Sequence, residues 1–116
     1  MLNGVGFPPA HCIGNVGESD KYKGRPLYEA IVEDARRRGL AGATVLHGAA
    51  GFGAHSRIHT AKILRLSEDL PIVIEIVDKP ERIAEFLPVL DDMIEEGLVT
   101  LERVRVITYR AVGSEE

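Results

Sequence analysis

Seven residues, PIVIEIV at positions 71–77, constrain the fold of this chain more than any other stretch of its sequence. Their β-branched side chains, and the turn signals before them, are typical of a β-strand. The three isoleucines would line one face, while Val73 and Val77 leave the other face only half polar. We therefore expect both faces to be covered and the strand to lie in the centre of a sheet.

An amphipathic helix is predicted earlier in the chain, from Gly24-Arg25-Pro26 to about Arg38. Pro26 suits the first turn, where a missing N–H costs nothing, and Gly39 suits the left-handed residue just past the end. The apolar side chains that recur at helical spacing are Leu27, Ala30, Ile31 and Ala35. Because they form a single stripe, we expect the helix to pack on one side.

Two short segments on either side of a glycine-rich stretch are predicted as strands. Ala43–Leu46 follows the turn signal at Gly39–Gly42, and Lys62–Leu66 has similar strand character. Residues 67–71 then form a turn that leads into the central strand.

A second helix is predicted after the central strand. Asp78 and Glu81 have the spacing of a capping box, with Asp in the usual Ser or Thr position. Apolar residues recur at helical intervals as far as Ile94, and the helix is expected to end near Gly97. Pro88 removes one hydrogen bond inside it, at a cost of about 3 kcal/mol or more, so we expect one kinked helix rather than two.

A last strand is predicted from about Val99 to Arg110, with good alternation from Val104 onward. The spacing of three residues between Leu101 and Val104 reverses the face on which the apolar side chains lie. A bulge or short break is therefore expected to divide this segment.

The order of these elements indicates an α+β fold. A first strand at about Ala10–Gly17 would complete the ferredoxin-like β-α-β-β-α-β unit, with two helices on one face of an antiparallel sheet. That strand would be interior, yet Gly14 and Asn15 interrupt its few apolar residues. The predicted organisation is a disordered segment at 1–9, a single domain at 10–110 and a tail at 111–116.

Composition narrows the class of function. The net charge of −4 on 116 residues argues against a nucleic-acid partner, because such binding rests on neutralising phosphates. A chain this short builds a marginal core, so self-association would help to stabilise it. Cys12 is the only cysteine, which rules out an internal disulfide and favours a cytoplasmic setting. No stretch approaches the roughly 18 apolar residues of a membrane span.

The glycine-rich stretch HGAAGFGAHSRIH, residues 47–59, is the main candidate for a site. Gly48 and Gly53 have the spacing of a Walker phosphate loop, but Ala54 and His55 replace its Lys and Ser or Thr. A dinucleotide fingerprint fails as well, because the third glycine is missing. The glycines would still let the backbone approach an anion. A hairpin loop whose charges face solvent remains the alternative.

The histidines of this stretch allow a metal interpretation. His55 and His59 lie four residues apart, but no Cys, Asp or Glu occurs between His47 and Leu66 to complete a set of ligands. Catalysis has little support, because Ser56 has histidine neighbours and no acid nearby in sequence. We therefore do not expect an enzyme.

Residues 17–110 resemble the PII-like family catalogued as domain of unknown function one-ninety, most specifically over Gly39–Asp78. Members of that family have a ferredoxin-like fold, assemble as trimers and are regarded as relatives of the PII nitrogen-signalling proteins. Some occur beside or fused to fluoride exporters. The resemblance thus implies the first strand, a homotrimer and a membrane transporter, such as a fluoride exporter, as partner.

Gly51-Phe52-Gly53 matches the Gly-Phe-Gly that, in PII proteins, ends the second strand, leads into the T-loop and lines a nucleotide site between subunits. Where PII proteins have a Gly-Asp-Gly-Lys loop, this chain has Glu95-Glu96-Gly97-Leu98 and so lacks the lysine.

Two phosphate-binding arginines of the PII last strand align with Val106 and Thr108, which leaves Arg105 and Arg110 as substitutes. Each lost charge-assisted bond is worth about 1.5–3 kcal/mol, so the resemblance implies AMP or ADP rather than ATP.

The resulting hypothesis is a non-catalytic, cytoplasmic, homotrimeric signalling protein without a cofactor, whose effector is an adenine nucleotide. Occupancy would order the loop from about Ala54 to Thr60 and switch a surface for a partner. The candidate ligand-binding residues are Gly51, Phe52, Gly53, His55, Arg57, Gly97 and Arg110. The alternative is a metal-binding trimer of the copper-tolerance type, using His47, His55 or His59.

Overall fold

An antiparallel sheet with two helices on one face forms the described part of the chain, residues 10–51 and 70–110 of a computed structural model. The sheet contains β1, Ala10–Gly17, β4, Ala43–His47, β5, Pro71–Asp78, and β6, Leu98–Arg103. The helices are α1, Leu27–Arg37, and α2, Pro80–Met93. Two-residue strands β2, Lys21–Tyr22, and β3, Arg25–Pro26, form a small hairpin before α1, which the sequence pattern did not predict.

The strands of the sheet lie in the order β4-β5-β1-β6, and each neighbouring pair is antiparallel. With α1 and α2 as the crossovers, this is the predicted ferredoxin-like arrangement. The central position predicted for residues 71–77 is confirmed, since β5 lies between β4 and β1.

The weakly supported first strand forms with the predicted bounds. It pairs with β5 along its whole length, from Ala10 opposite Asp78 to Gly17 opposite Pro71, and with β6 on its other edge. Ladders on both edges satisfy the backbone groups of β1 whatever its side chains are. Tertiary pairing therefore overrides the low strand propensity of its Gly-Asn pair.

The core lies between the sheet and the helices. Alternate residues of β5 are buried, with Ile72, Ile74 and Ile76 at most 1% exposed. They face buried side chains of both helices, among them Ile31, Leu27, Ile83, Phe86 and Leu90. Val73 and Val77, on the other face of β5, are half-buried, so helices cover one face of this strand within a single chain.

The predicted first helix is confirmed with small changes at its ends. It starts one residue after Pro26, which occupies the N-cap position, and Gly39 follows it with φ 78°, the left-handed conformation expected there. Neither α1 nor α2, the helices of the described residues, is long and apolar enough to cross a membrane.

The predicted capping box at the second helix is wrong. The helix begins at Pro80 with Lys79 as N-cap, and no side chain caps it. Asp78 is instead the buried last residue of β5, where its carboxylate accepts hydrogen bonds from the backbone N–H of Ala41, at 2.9 Å, and of Lys79, at 2.6 Å. Proline takes the first helical position because its fixed φ suits that position.

A single second helix is confirmed, because α2 continues through Pro88 to Met93. The kink at Pro88 stays a prediction. The helix stops four residues before Gly97, and the intervening Ile94 is its C-cap.

The predicted last strand is too long. β6 ends at Arg103, and residues 104–110 form no regular strand. Arg103 pairs with Ala10, the first residue of β1, so the ladder ends where the described part of its partner strand ends. The predicted strand Lys62–Leu66 and the terminal segments 1–9 and 111–116 lie outside the described residues.

Replacing Asp78 tests this junction between β5, α2 and the α1–β4 connection. We expect Asp78→Ala to lower the free energy of unfolding by about 1–3 kcal/mol, because two backbone N–H groups lose their acceptor. Urea denaturation measures the change. The control is Glu81→Ala, exposed in the first turn of α2, with an expected loss of about 0.5 kcal/mol or less. An equal loss in both variants would support the capping box instead.

Candidate functional site

The glycine-rich stretch begins where β4 ends and folds back over the start of β5. The backbone N–H of Gly48 donates to the Pro71 carbonyl at 2.8 Å. A Cβ on Gly48 would lie 2.7 Å from Pro71 Cγ, and one on Gly51 would lie 3.1 Å from the same atom. Glycine is therefore required here for the close approach of the main chain to the proline ring.

Gly97 precedes β6 and makes a second close approach. A Cβ on it would lie 2.7 Å from the carbonyl oxygen of Asn15 and 3.0 Å from Ile94 Cγ2. The cause is strand register, because Asn15 of β1 is the partner of Leu98, the next residue of β6. Packing against β1 is thus enough to explain a glycine at this position.

Gly51 and Gly97 lie at the same end of the sheet. Gly51 contacts Pro71, whose partner in β1 is Gly17, while Gly97 contacts Asn15 two residues earlier in β1. The adjacent backbones of β5 and β1 are about 4.8 Å apart. Two of the predicted ligand-binding residues are therefore brought to one edge of the molecule.

Arg110 lies at the opposite end of the sheet. The hydroxyl of its neighbour Tyr109 donates to the carbonyl of Ala41 at 3.2 Å, and Ala41 is bonded to Asp78 at the far end of β5. Arg110 is exposed there. One chain does not bring it to Gly51 or Gly97, so a common site requires a second copy.

Four other predicted site residues, Phe52, Gly53, His55 and Arg57, lie outside the described residues. So does His59, named for the metal alternative. His47 is the last residue of β4, and its ring packs edge-on against Tyr28, with the ring centroids 5.7 Å apart. Residues 10–51 and 70–110 contain no group of three or more His, Cys, Asp or Glu side chains arranged to hold a metal ion.

Cys12 is buried in β1, with 1% of its surface exposed. Burial disfavours the charged thiolate and raises the pKa of the Cys12 thiol. This thiol is a small apolar element of the core rather than a nucleophile.

A cleft of about 510 Å³ between α1, α2 and the β2–β3 hairpin was not indicated by the sequence pattern. Its cationic lining comprises Lys23, Arg25, Arg37 and Arg38. Buried Asp34 binds the guanidinium groups of Arg37 and Arg38 with one carboxylate oxygen each. The run Arg36-Arg37-Arg38 is visible in the sequence, but only the tertiary structure shows that Arg37 and Arg38 pair with Asp34 and line this cleft.

The sheet face opposite the helices is partly apolar. Cross-strand partners share a face, so the register assigns Leu46, Val73, Val77, Ile13 and Leu98 to it. Leu46 is 48% and Leu98 57% exposed, which is high for leucine. This face, called here the open sheet face, offers apolar area for association.

The strand order and helix placement define a protein of the ferredoxin-like fold class. A solved structure described as "Structure of CPII bound to ADP and bicarbonate, from Thiomonas intermedia K12" has the same fold, with a TM-score of 0.58. The match covers 86% of this chain and 89% of that one, at 19% sequence identity.

The chain belongs to the DUF190 family, described as "Uncharacterized ACR", whose model matches residues 15–106. A UPF0166 protein of Aquifex aeolicus is 41% identical over 90 residues, covering 78% of this chain and 85% of the relative. A UPF0166 protein of Methanocaldococcus jannaschii is 39% identical over 85 residues, with coverage of 72% and 78%.

Alanine at Gly97 tests the packing of this end of the sheet. We expect Gly97→Ala to lower the free energy of unfolding by about 1–3 kcal/mol, because a Cβ would meet the backbone of β1. Gly42→Ala is the matched control, since a Cβ there meets nothing within 4 Å. Thermal or urea unfolding of both variants measures the difference. If Gly97→Ala loses no more stability than Gly42→Ala, the backbone of β1 must shift to accommodate the added Cβ, and the prediction is wrong.

Alkylation of Cys12 tests the burial of its thiol. We expect iodoacetamide to react more slowly with the native protein than with protein in concentrated urea, because burial raises the pKa of the thiol. The stabilisation linked to that shift is fully present below the pKa of the unfolded thiol and is lost as the pH rises through the folded pKa. Mass spectrometry follows this single cysteine. Equal rates in both states would contradict the prediction.

Proposed function

We propose that this protein is a non-catalytic PII-like signalling protein that binds an adenine nucleotide, AMP or ADP, between subunits of a homotrimer. The observation that carries the proposal is the fold shared over most of both chains with CPII, a protein whose solved structure is bound to ADP and bicarbonate. The family description assigns no activity, so the fold is the strongest guide to function.

The nucleotide site is proposed at the end of the sheet where Gly51 and Gly97 lie. The main chain of residues 48–51 runs close over Pro71, without side chains at the two glycines. Backbone N–H groups in such a segment suit the phosphates of a nucleotide. In this proposal Gly51 and Gly53 provide backbone donors, Phe52 packs near the base, and His55 and Arg57 contact phosphate or the partner.

Assembly of three copies is proposed to complete the site. The open sheet face supports association, because its half-exposed leucines and half-buried valines would leave water on contact with another copy. Arg110 lies at the other end of the sheet from Gly51, so a neighbouring subunit would supply it. A trimer thereby unites candidate residues that one chain keeps apart.

The small number of cationic side chains in the last described segment, residues 104–110, favours AMP or ADP over ATP as the ligand. Val106 and Thr108 stand at the positions of the PII arginines, and Gly97 is followed by Leu98 rather than lysine. Arg105 and Arg110 are exposed and are the remaining cations of that segment. Fewer charge-assisted bonds suit a ligand with fewer phosphate charges.

Occupancy of the site is proposed to order the loop from about Ala54 to Thr60 and so alter a surface read by a partner. A membrane transporter such as a fluoride exporter is the proposed partner, on the resemblance to family members that occur beside one. The proposed setting is the cytoplasm, where a single unpaired cysteine is ordinary. Within residues 10–51 and 70–110, His47 packs against Tyr28 and belongs to no group of three metal-binding side chains, so the metal-binding alternative is not proposed.

Calorimetric titration with AMP, ADP, ATP and cyclic AMP tests this function, combined with light scattering for the mass in solution. We expect AMP or ADP to bind to a trimer. Arg110→Ala should weaken binding about tenfold, through loss of one charge-assisted contact. Arg36→Ala, an exposed position on α1, is the matched control and should bind normally.

Two results would contradict separate parts of the proposal. No heat with any of the four nucleotides, from folded protein at high concentration, rejects the nucleotide effector. A monomer that still binds ADP rejects the site between subunits.

A further inference from the structure

The cleft between α1, α2 and the β2–β3 hairpin is separate from the site proposed above. It belongs to the helical layer, whereas Gly51 and Gly97 lie at one end of the sheet. The helices cover one face of the sheet, and the open sheet face is the other. Association of copies through the open sheet face would therefore leave the cleft accessible. Its volume of about 510 Å³ is within the range of small-molecule sites.

The charge of the cleft is opposite to that of the chain. Four cationic side chains line it against two acidic ones, Asp34 and Asp92, while the protein as a whole carries −4. Glu33, outside the lining, pairs with Arg25 at 2.9 Å, so the positive balance rests on Lys23, Arg37 and Arg38. Each acidic oxygen of Asp34 is already engaged by an arginine. The cleft is therefore a local basic site on an acidic protein, which is the condition for attracting a small anion.

Asp34 orients the two arginines rather than neutralising them both. Its buried carboxylate bonds Arg37 through Oδ1 and Arg38 Nε through Oδ2, the latter at 2.6 Å. A guanidinium has five N–H donors, and this carboxylate uses one from each arginine. Each guanidinium keeps further N–H donors, and the Arg37 and Arg38 side chains are 68% and 52% exposed, so phosphate or carboxylate oxygens can reach them.

Lys23 lines the cleft and has an unusual backbone conformation. It is the only non-glycine residue with positive φ in the described residues, at 51°, and Gly24 follows at 81°. Such a two-residue hairpin turn favours Asn-Gly or Asp-Gly, so lysine here is an unfavourable choice for the turn itself. Its Nζ lies 5.3 Å from the ring centroid of Tyr22. A conformational cost at a charged residue facing a cleft points to a role for that charge.

The opposite wall of the cleft is largely apolar. Pro88, Val89 and Met93 of α2 line it, and Tyr22 contributes an aromatic ring. Asp92 is also on α2, so it disfavours a second anionic group on that side. The two walls together match a ligand with one anionic end and one apolar end.

We propose that this cleft binds a small organic phosphomonoester whose phosphate contacts Lys23, Arg37 and Arg38 and whose apolar or aromatic body lies against Val89 and Met93. A ligand with a carboxylate in place of the phosphate would make the same contacts but bind more weakly, because a carboxylate carries less charge. The cleft would thus be a second ligand-binding site, and it lies within one subunit.

Phenyl phosphate is the probe, with inorganic phosphate and phenol as its two halves. Titration followed by amide NMR shifts should perturb the β2–β3 hairpin, the end of α1 and the region of Val89 and Met93. Phenyl phosphate should bind more tightly than either half, and added salt should weaken it.

Lys23→Asn is the decisive variant, because asparagine suits the left-handed turn and removes the ammonium group together with its contact to the Tyr22 ring. It should keep the fold and weaken phenyl phosphate by about fivefold, the size expected for one partly exposed ionic contact. Arg36→Ala is the matched control: it removes the same charge from the same arginine run, outside the lining, and should bind normally. Both variants are checked for native stability.

The proposal is overturned if phenyl phosphate gives no saturable shifts, or if the shifts centre on residues 48–51. Equal weakening by Lys23→Asn and Arg36→Ala also overturns it, since that result means a general charge effect. Binding of ADP in a protein that ignores phenyl phosphate rejects this site and leaves the nucleotide function standing.

Discussion

The antiparallel pairing of β1 with β5 is the interaction on which the rest of the structure depends. Eight consecutive residue pairs join Ala10–Gly17 to Pro71–Asp78, and the other edge of β1 carries β6. Without β1, the sheet would divide into β4–β5 and an isolated β6. Because β1 runs antiparallel to both β5 and β6, its two ends correspond to the two ends of the sheet. One end carries Gly51 and Gly97, and the other carries Asp78 and Tyr109.

The two faces of this sheet have different consequences. On the helix face, the isoleucines of β5 are sealed by α1 and α2, which makes a core from one chain. On the open sheet face, Leu46 and Leu98 are about half exposed. Burial of that face by other copies is favourable because apolar surface leaves water. In the proposed trimer, the helical layer and its basic cleft would therefore lie on the outside.

Strand register and close packing explain why glycine occurs at positions near the predicted ligand-binding site. Gly97 accommodates the carbonyl of Asn15, and Gly48 accommodates the ring of Pro71. These contacts hold the same end of the sheet at which a nucleotide is proposed to bind. Close backbone packing and exposed N–H groups both favour glycine, so structural and ligand-binding roles are compatible at this edge.

Local sequence determined the helices, the strong central strand and the left-handed Gly39, because periodicity and cap chemistry depend on neighbouring residues. The resemblance to a PII-like family supplied the first strand, which its own Gly14 and Asn15 argued against. Local signals also misled, since Asp78 had the spacing of a cap but is held in β5 by the N–H of Ala41. Only the tertiary structure decided where β6 ends, that Arg110 lies away from Gly51, and that one cleft joins the β2–β3 hairpin to both helices. Each of these features involves segments that are far apart in sequence. They are stabilised by long-range strand pairing and packing, which no local pattern of residues encodes.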